Sequence, residues 1–382
     1  MPNYRRVGDL PRKRHMVARQ GGTRLAEELV GQRGFSGPSS LLYHRHSPSA
    51  IVSAERVETG RPAASPNDEV LPYHLRLTRL AGGADPVTGR RLVLANGDVN
   101  LCWVRAEGDS PLYRNAAGDE LVFVLAGGAR LESVFGALTV EAGDYVVVPA
   151  STTHRWLVSG GPLEALVLEA NGHFDIPARY LGPTGQLLEG APYSERDLRA
   201  PDEPVVAEGA EVPVLVRHRH GWSRHVHACH PFDVVGWDGS VYPYALSIHD
   251  FEPIVGRFHQ PPPVHQTFAG PNLVVCSFVP RLLDFDPEAV AVPYHHANVD
   301  SDEVLFYVNG DFTSRRGVQI EPGSLTLHPS GFVHGPQPGG YEASVGATRT
   351  GETAVMVDTF APLGLTAEAR EVSDPGYPRS WL

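Results

Sequence analysis

The chain has 382 residues, 42% of them hydrophobic and 20% charged, enough for two domains with cores of their own, and its 40 glycines and 34 prolines signal many turns between short strands rather than a helical protein. A formal charge of -12 with a pI near 5.8 argues against a nucleic-acid partner, which needs a clustered basic surface. Lys13 is the single lysine, so a P-loop or a lysine Schiff base in the folded body is excluded, and the scattered Cys102, Cys229 and Cys276 suit a reducing compartment without a disulfide framework or a CxxC zinc site.

No apolar run approaches a bilayer-spanning length and the opening residues lack the apolar stretch of a secretory signal, so no membrane partner and a cytoplasmic location are expected. Residues 1–65 read as an irregular N-terminal arm, basic at Arg5, Arg6, Arg12, Lys13 and Arg14. It holds a brief helical segment around Arg24 to Leu29, broken by Gly34-Phe35-Ser36-Gly37-Pro38. Such an arm packs on another surface.

Residues 66–175 form a first small barrel. Between Leu75 and Ala170, apolar residues alternate or run in short blocks bounded by Gly-Gly, Asn-Gly and Ala-Gly-Asp turns, the pattern of an antiparallel sandwich or barrel. Residues 176–270 read as a connecting β and loop region. Its His218, His220, His225, His227 and His230 could present ring nitrogens on one strand face to zinc or nickel. No carboxylate or cysteine framework accompanies them, so a surface hairpin is the preferred reading. Residues 271–382 complete a second barrel and a C-terminal tail.

An internal repeat relates the two barrels. Tyr113, Asn115, Glu120 and Gly127 have the same mutual offsets as His296, Asn298, Glu303 and Gly310, and Gly143, Pro149 and His154 have those of Gly323, Pro329 and His334. The second copy holds two imidazoles and a carboxylate, His296, Glu303 and His334, which can occupy one face of an octahedral metal site and leave the opposite positions open. That facial arrangement is associated with non-haem Fe(II) oxygen chemistry. The first copy has Tyr113 in place of one imidazole, so Glu120 and His154 read as a structural polar pair rather than a second metal site.

Both stretches resemble the two-part cupin signature, and within the two-barrel cupins the chain resembles the homogentisate 1,2-dioxygenase family. The resemblance rests on Phe232-Asp233-Val234-Val235-Gly236-Trp237 with Pro243-Tyr244, on Pro293-Tyr294-His295-His296-Ala297-Asn298 through Glu303, and on Gly323-Ser324-Leu325 through His328 to His334-Gly335-Pro336. It extends more weakly from Ala26-Glu27-Glu28-Leu29 to Trp381. It implies an all-β bicupin that holds Fe(II) through His296, Glu303 and His334.

The family's acid–base histidine corresponds to His259 in Phe258-His259-Gln260-Pro261-Pro262, and a further active-site histidine falls on His328. Tyr294 and Asn298 are candidate substrate contacts. Phe312 stands where the family carries a tyrosine associated with the substrate carboxylate. The implied reaction joins homogentisate, a small aromatic acid, with O2 to give maleylacetoacetate in tyrosine catabolism, by a homo-oligomer, a trimer or hexamer. Phe312 keeps a related hydroquinone- or gentisate-type phenol open as substrate, and a metal-dependent isomerase stands further off.

Overall fold

The structure is a computed structural model and describes residues 3–58, 60–310, 312, 315 and 318–382. The architecture is mostly β, with its strands gathered mainly into a 13-stranded and a 6-stranded sheet, which form the first and second barrels. In the first, strands Glu120–Ser133 and His154–Ala170 pair antiparallel from Glu120↔Glu169 to Ser133↔His154. The register shifts on either side of Ala126, where Gly127 sits at φ 72°, a left-handed conformation that glycine reaches without strain. Val99–Ala106 flanks one side of this pair and Asp144–Val148 the other. In the second barrel, Leu273–Phe278, Thr353–Thr359, Asp302–Asn309 and Ser324–His328 lie side by side in that order. These strands are rich in valine, leucine and phenylalanine because both of their faces are largely covered.

Sheet membership does not follow the linear division of the chain. Tyr73–Arg76, from the start of the first barrel's segment, pairs with Ser324–His328 of the second. Tyr244–Ser247, from the connecting region, extends the first barrel's sheet beside Asp144–Val148. Gly364–Leu365 returns from the C-terminal part to pair with Arg91–Ala95. These exchanges join the barrels into one core: Phe306 meets both Trp103 and Phe123, and the Tyr145 hydroxyl hydrogen bonds with the Ser277 hydroxyl at 2.9 Å.

The arm differs from its sequence reading. Arg24 to Leu29 is not helical; Ala26–Gly31 is a strand paired with Ser39–His44, in a four-stranded sheet completed by Arg5–Gly8 and Val234–Gly239. Cross-strand pairing has overridden the helical preference of Ala-Glu-Glu-Leu. Ile51–Val57 is also a strand, exposed along almost its whole length, which is why no alternation announced it. The histidine-rich segment is a hairpin, Ala210–His218 against Gly221–Cys229, with His227 buried. No described helix is long and apolar enough to cross a membrane.

Candidate metal centre

Main-chain geometry brings His296, Glu303 and His334 together. His296 and His334 form an isolated antiparallel bridge, each donating its N–H to the carbonyl of the other at 2.8 Å. The turn before His334 is closed by Gly331, at φ 80°, whose N–H donates to the Asn298 carbonyl at 2.7 Å. Asp302 pins the same region, accepting the Ser330 and Leu363 N–H groups at 2.8 Å each. Glu303 follows Asp302 at the head of strand Asp302–Asn309, so its carboxylate points to the face that the bridge closes.

One ligand atom from each of the three residues lies within 4.8 Å of the others. In both histidines the Nδ1–H donates at 3.0 Å to a carbonyl two residues earlier, Tyr294 for His296 and Phe332 for His334. That bond fixes the tautomer and leaves the Nε2 lone pair facing Glu303. His334 Nε2 is buried and has no hydrogen-bond partner, and it stands 3.2 Å from Glu303 Oε1. Two imidazole nitrogens converging with a buried carboxylate form a donor set that fits a divalent cation. Burial pushes the Glu303 carboxyl up, but the imidazoles of His296, His328 and His334 outweigh it and hold the group well below the usual carboxylate range. His296 is raised, chiefly by the Glu303 carboxylate 3.7 Å from its Nε2.

A cavity of about 420 Å³ opens from this centre, and His259, Tyr294 and Asn298 are among the residues that line it. Two other predicted residues lie elsewhere. His328 sits behind the carboxylate, its Nδ1 2.9 Å from Glu303 Oε1 and its Nε2 2.9 Å from the Tyr377 hydroxyl. Burial drives its pKa down to about 3, which keeps the ring neutral. Phe312, at φ 38°, packs edge-on against Tyr307 with ring centroids 4.9 Å apart and is not part of the described cavity wall.

The cavity also holds residues that sequence reading missed: His265, Arg281, Arg315, Arg349 and Asp358. Arg315 is buried, donating to the Gly335 carbonyl at 2.7 Å and the Tyr307 hydroxyl at 3.2 Å. Burial and the neighbouring Glu303 raise the Asp358 carboxyl to about 8. A signal for Asp358 was present, since Ala354-Val355-Met356-Val357-Asp358 parallels Ala165-Leu166-Val167-Leu168-Glu169. The insertion carrying the helix Gly340–Ser344 displaced it from the offset seen in the first copy.

The first barrel repeats the scaffold and fills the centre differently. Tyr113 pairs with His154 as His296 does with His334, and Ser151, at φ 65°, donates its N–H to the Asn115 carbonyl at 2.7 Å as Gly331 does to Asn298. Here the Tyr113 hydroxyl and the Asn115 amide donate to Glu120 at 2.7 and 3.1 Å. Arg90 bridges Glu120 and Glu169 at 2.8 Å each, with Arg61 also on Glu169. The Arg90 guanidinium supplies the positive charge beside Glu120. His296, Glu303 and His334 are the metal-competent group found among the described residues; the His218 to His230 hairpin forms none.

Comparison with known proteins places the chain among ring-cleaving dioxygenases. The family profile of the homogentisate 1,2-dioxygenase N-terminal region matches residues 52–248. A provisionally named dioxygenase of Saccharolobus solfataricus is 39% identical over 99% of this chain and 98% of its own length. The homogentisate 1,2-dioxygenase of Bradyrhizobium diazoefficiens is 27% identical over 96% of this chain and 87% of its own length. That of Emericella nidulans is 26% identical, and there the match covers 73% of this chain but 62% of the relative.

Proposed function

We propose that this chain, which belongs to the homogentisate 1,2-dioxygenase family and is a ring-cleaving dioxygenase, acts on homogentisate with Fe(II) held by His296, Glu303 and His334, giving maleylacetoacetate. The observation that carries the reading is the bridged pair His296 and His334 closing on buried Glu303 at the wall of a cavity large enough for one aromatic ring. Two neutral imidazoles and one carboxylate would hold the metal and leave it positions open to a phenol and O2. Bound there, Fe(II) supplies the redox chemistry that O2 needs to react with an aromatic ring.

The chain's own groups do the rest. Arg281, Arg315 and Arg349 bring positive charge to a cavity that must accept an acetate side chain. His259, half-exposed at the cavity with its Nδ1 3.8 Å from Asp284 Oδ2, takes the phenolic proton as substrate binds and returns it later. Tyr294 and Asn298 orient the ring from the metal side. His328 holds Glu303 from behind rather than meeting the substrate.

A second reading, a related hydroquinone- or gentisate-type phenol, rests on the replacement of the family's carboxylate-associated tyrosine by Phe312, whose ring packs on Tyr307 away from the cavity wall. Oxygen uptake by anaerobically Fe(II)-loaded protein against a panel of dihydroxybenzenes separates the two: homogentisate should be consumed fastest, and faster turnover of another diphenol overturns the assignment. Assembly into a homo-oligomer belongs to the same reading, and sedimentation of the full chain at micromolar concentration tests it.

A further inference from the structure

The two barrels differ most in what faces their second carboxylate. Glu169 lies directly across the sheet from Glu120, and Asp358 lies directly across from Glu303. Directly opposed residues on neighbouring strands share a face, and Leu305 and Met356, the next same-face pair, line the cavity with Glu303 and Asp358. In the first barrel both carboxylates are occupied by Arg90, and Arg61 and Arg217 add to Glu169. In the second, no described residue donates to Asp358 Oδ1, although that oxygen is buried. Asp358 is also outside the set of atoms close enough to share a metal with the two histidines.

A buried oxygen without a donor is costly, and native structures keep few of them. Asp358 itself is part-exposed and lines the cavity that opens from the metal centre. Its counterpart in the first barrel shows the alternative, since an arginine from the same fold satisfies Glu169 there. Oδ1 itself is shut off from the cavity, but the side chain is part-exposed on the cavity wall and no described residue hydrogen bonds or ion-pairs with it, so an entering ligand that brings a hydrogen-bond donor finds an unpaired carboxyl group there.

We propose that Asp358 is a specificity-determining substrate contact, accepting a hydrogen bond from a ring hydroxyl of the aromatic substrate on the Glu303 side of the cavity. This rests on the proposed dioxygenase reading of the site and adds to it the group that reads the second hydroxyl. Diphenols are thereby preferred over phenols carrying one hydroxyl. The preference belongs to this chain's own side chain and is readable without turnover.

The test is anaerobic calorimetric titration of metal-loaded protein with homogentisate, hydroquinone, 2-hydroxyphenylacetate and 3-hydroxyphenylacetate, with metal content measured on the same samples. In the wild type, homogentisate should bind more tightly than both monohydroxy acids. Asp358→Ala should reduce that discrimination by about 10-fold, the scale of one net hydrogen bond, at unchanged metal content. Asp358→Val, which fills the space without an acceptor on a strand that suits valine, gives the same reading should the alanine variant not fold. Asp358→Asn, which keeps an acceptor oxygen, should retain the discrimination. Unchanged discrimination in the Ala and Val variants overturns the assignment, and loss of metal from them overturns it in favour of a supporting role toward Glu303. A wild type that binds none of the diphenols overturns the proposed function as well.

Discussion

His296 and His334 are held to each other by two main-chain hydrogen bonds of 2.8 Å, and their rings lie 4.4 Å apart. The pairing is made by backbone atoms, so the fold that delivers the two imidazoles does not depend on the imidazoles themselves. Tyr113 and His154 keep the same pairing in the first barrel with one imidazole replaced. The scaffold and the chemistry are separable.

Metal retention should follow this separation. Wild-type protein loaded with Fe(II) should hold about one ion per chain, because only the second barrel has the full donor set among the described residues. His334→Ala should lose it while far-ultraviolet circular dichroism stays nearly unchanged. Two ions per chain, or an ion surviving His334→Ala, would count against the assignment.

His328 should behave as a positioning residue. It reaches Glu303 on one side and Tyr377 on the other, so His328→Phe should free the carboxylate to rotate and weaken metal affinity by about 10–100-fold. Saturating metal should restore much of kcat. Unaltered metal affinity with kcat lost at saturation would show that the ring acts on the substrate instead.

Removing the internal cation of the first barrel should be expensive. Arg90 is almost wholly buried between Glu120 and Glu169, and Arg90→Ala leaves two buried carboxylates short of a partner, a loss of about 3–5 kcal/mol in unfolding free energy. Urea denaturation measures it, with metal stoichiometry unaffected. A loss below about 1 kcal/mol would mean that the remaining Arg61 and Arg217 suffice.

The arm supplies a pH dependence. His44 is buried between Asp233 Oδ1 at 2.6 Å and Glu28 Oε2 at 3.0 Å. Burial pulls its pKa down, but the two carboxylates overcome this and raise it to about 9. A folded-state pKa above the unfolded value of 6.5 means stability fully present below 6.5 and lost as pH rises through about 9. Thermal unfolding of wild type and His44→Gln should therefore differ more at about pH 6 than at about pH 10. A gap that widens with pH would contradict the sign.

Much of the site was legible because the repeat fixed spacing twice over. The offsets of His296, Glu303 and His334 recur at Tyr113, Glu120 and His154. Strand content between Leu75 and Ala170 was legible from alternation and turns. The arm was not, because Ala26–Gly31 and Ile51–Val57 are short, partly exposed strands whose pairing is decided by distant partners. The exchange of Tyr73–Arg76 into the second barrel leaves no local trace, since an apolar strand reads alike in either sheet. Phe312 was read from its place in a motif, but its backbone turns the ring onto Tyr307. Arg281, Arg315 and Arg349 went unremarked because long side chains converge on a cavity from segments that sequence spacing does not relate.

The most direct measurement is oxygen uptake by Fe(II)-loaded wild type and His334→Ala with homogentisate, followed with product formation. One O2 consumed per homogentisate opened by the wild type, and none by the variant, is the result predicted here. Ring opening that continues in His334→Ala, or oxygen uptake absent from the loaded wild type, would contradict the account.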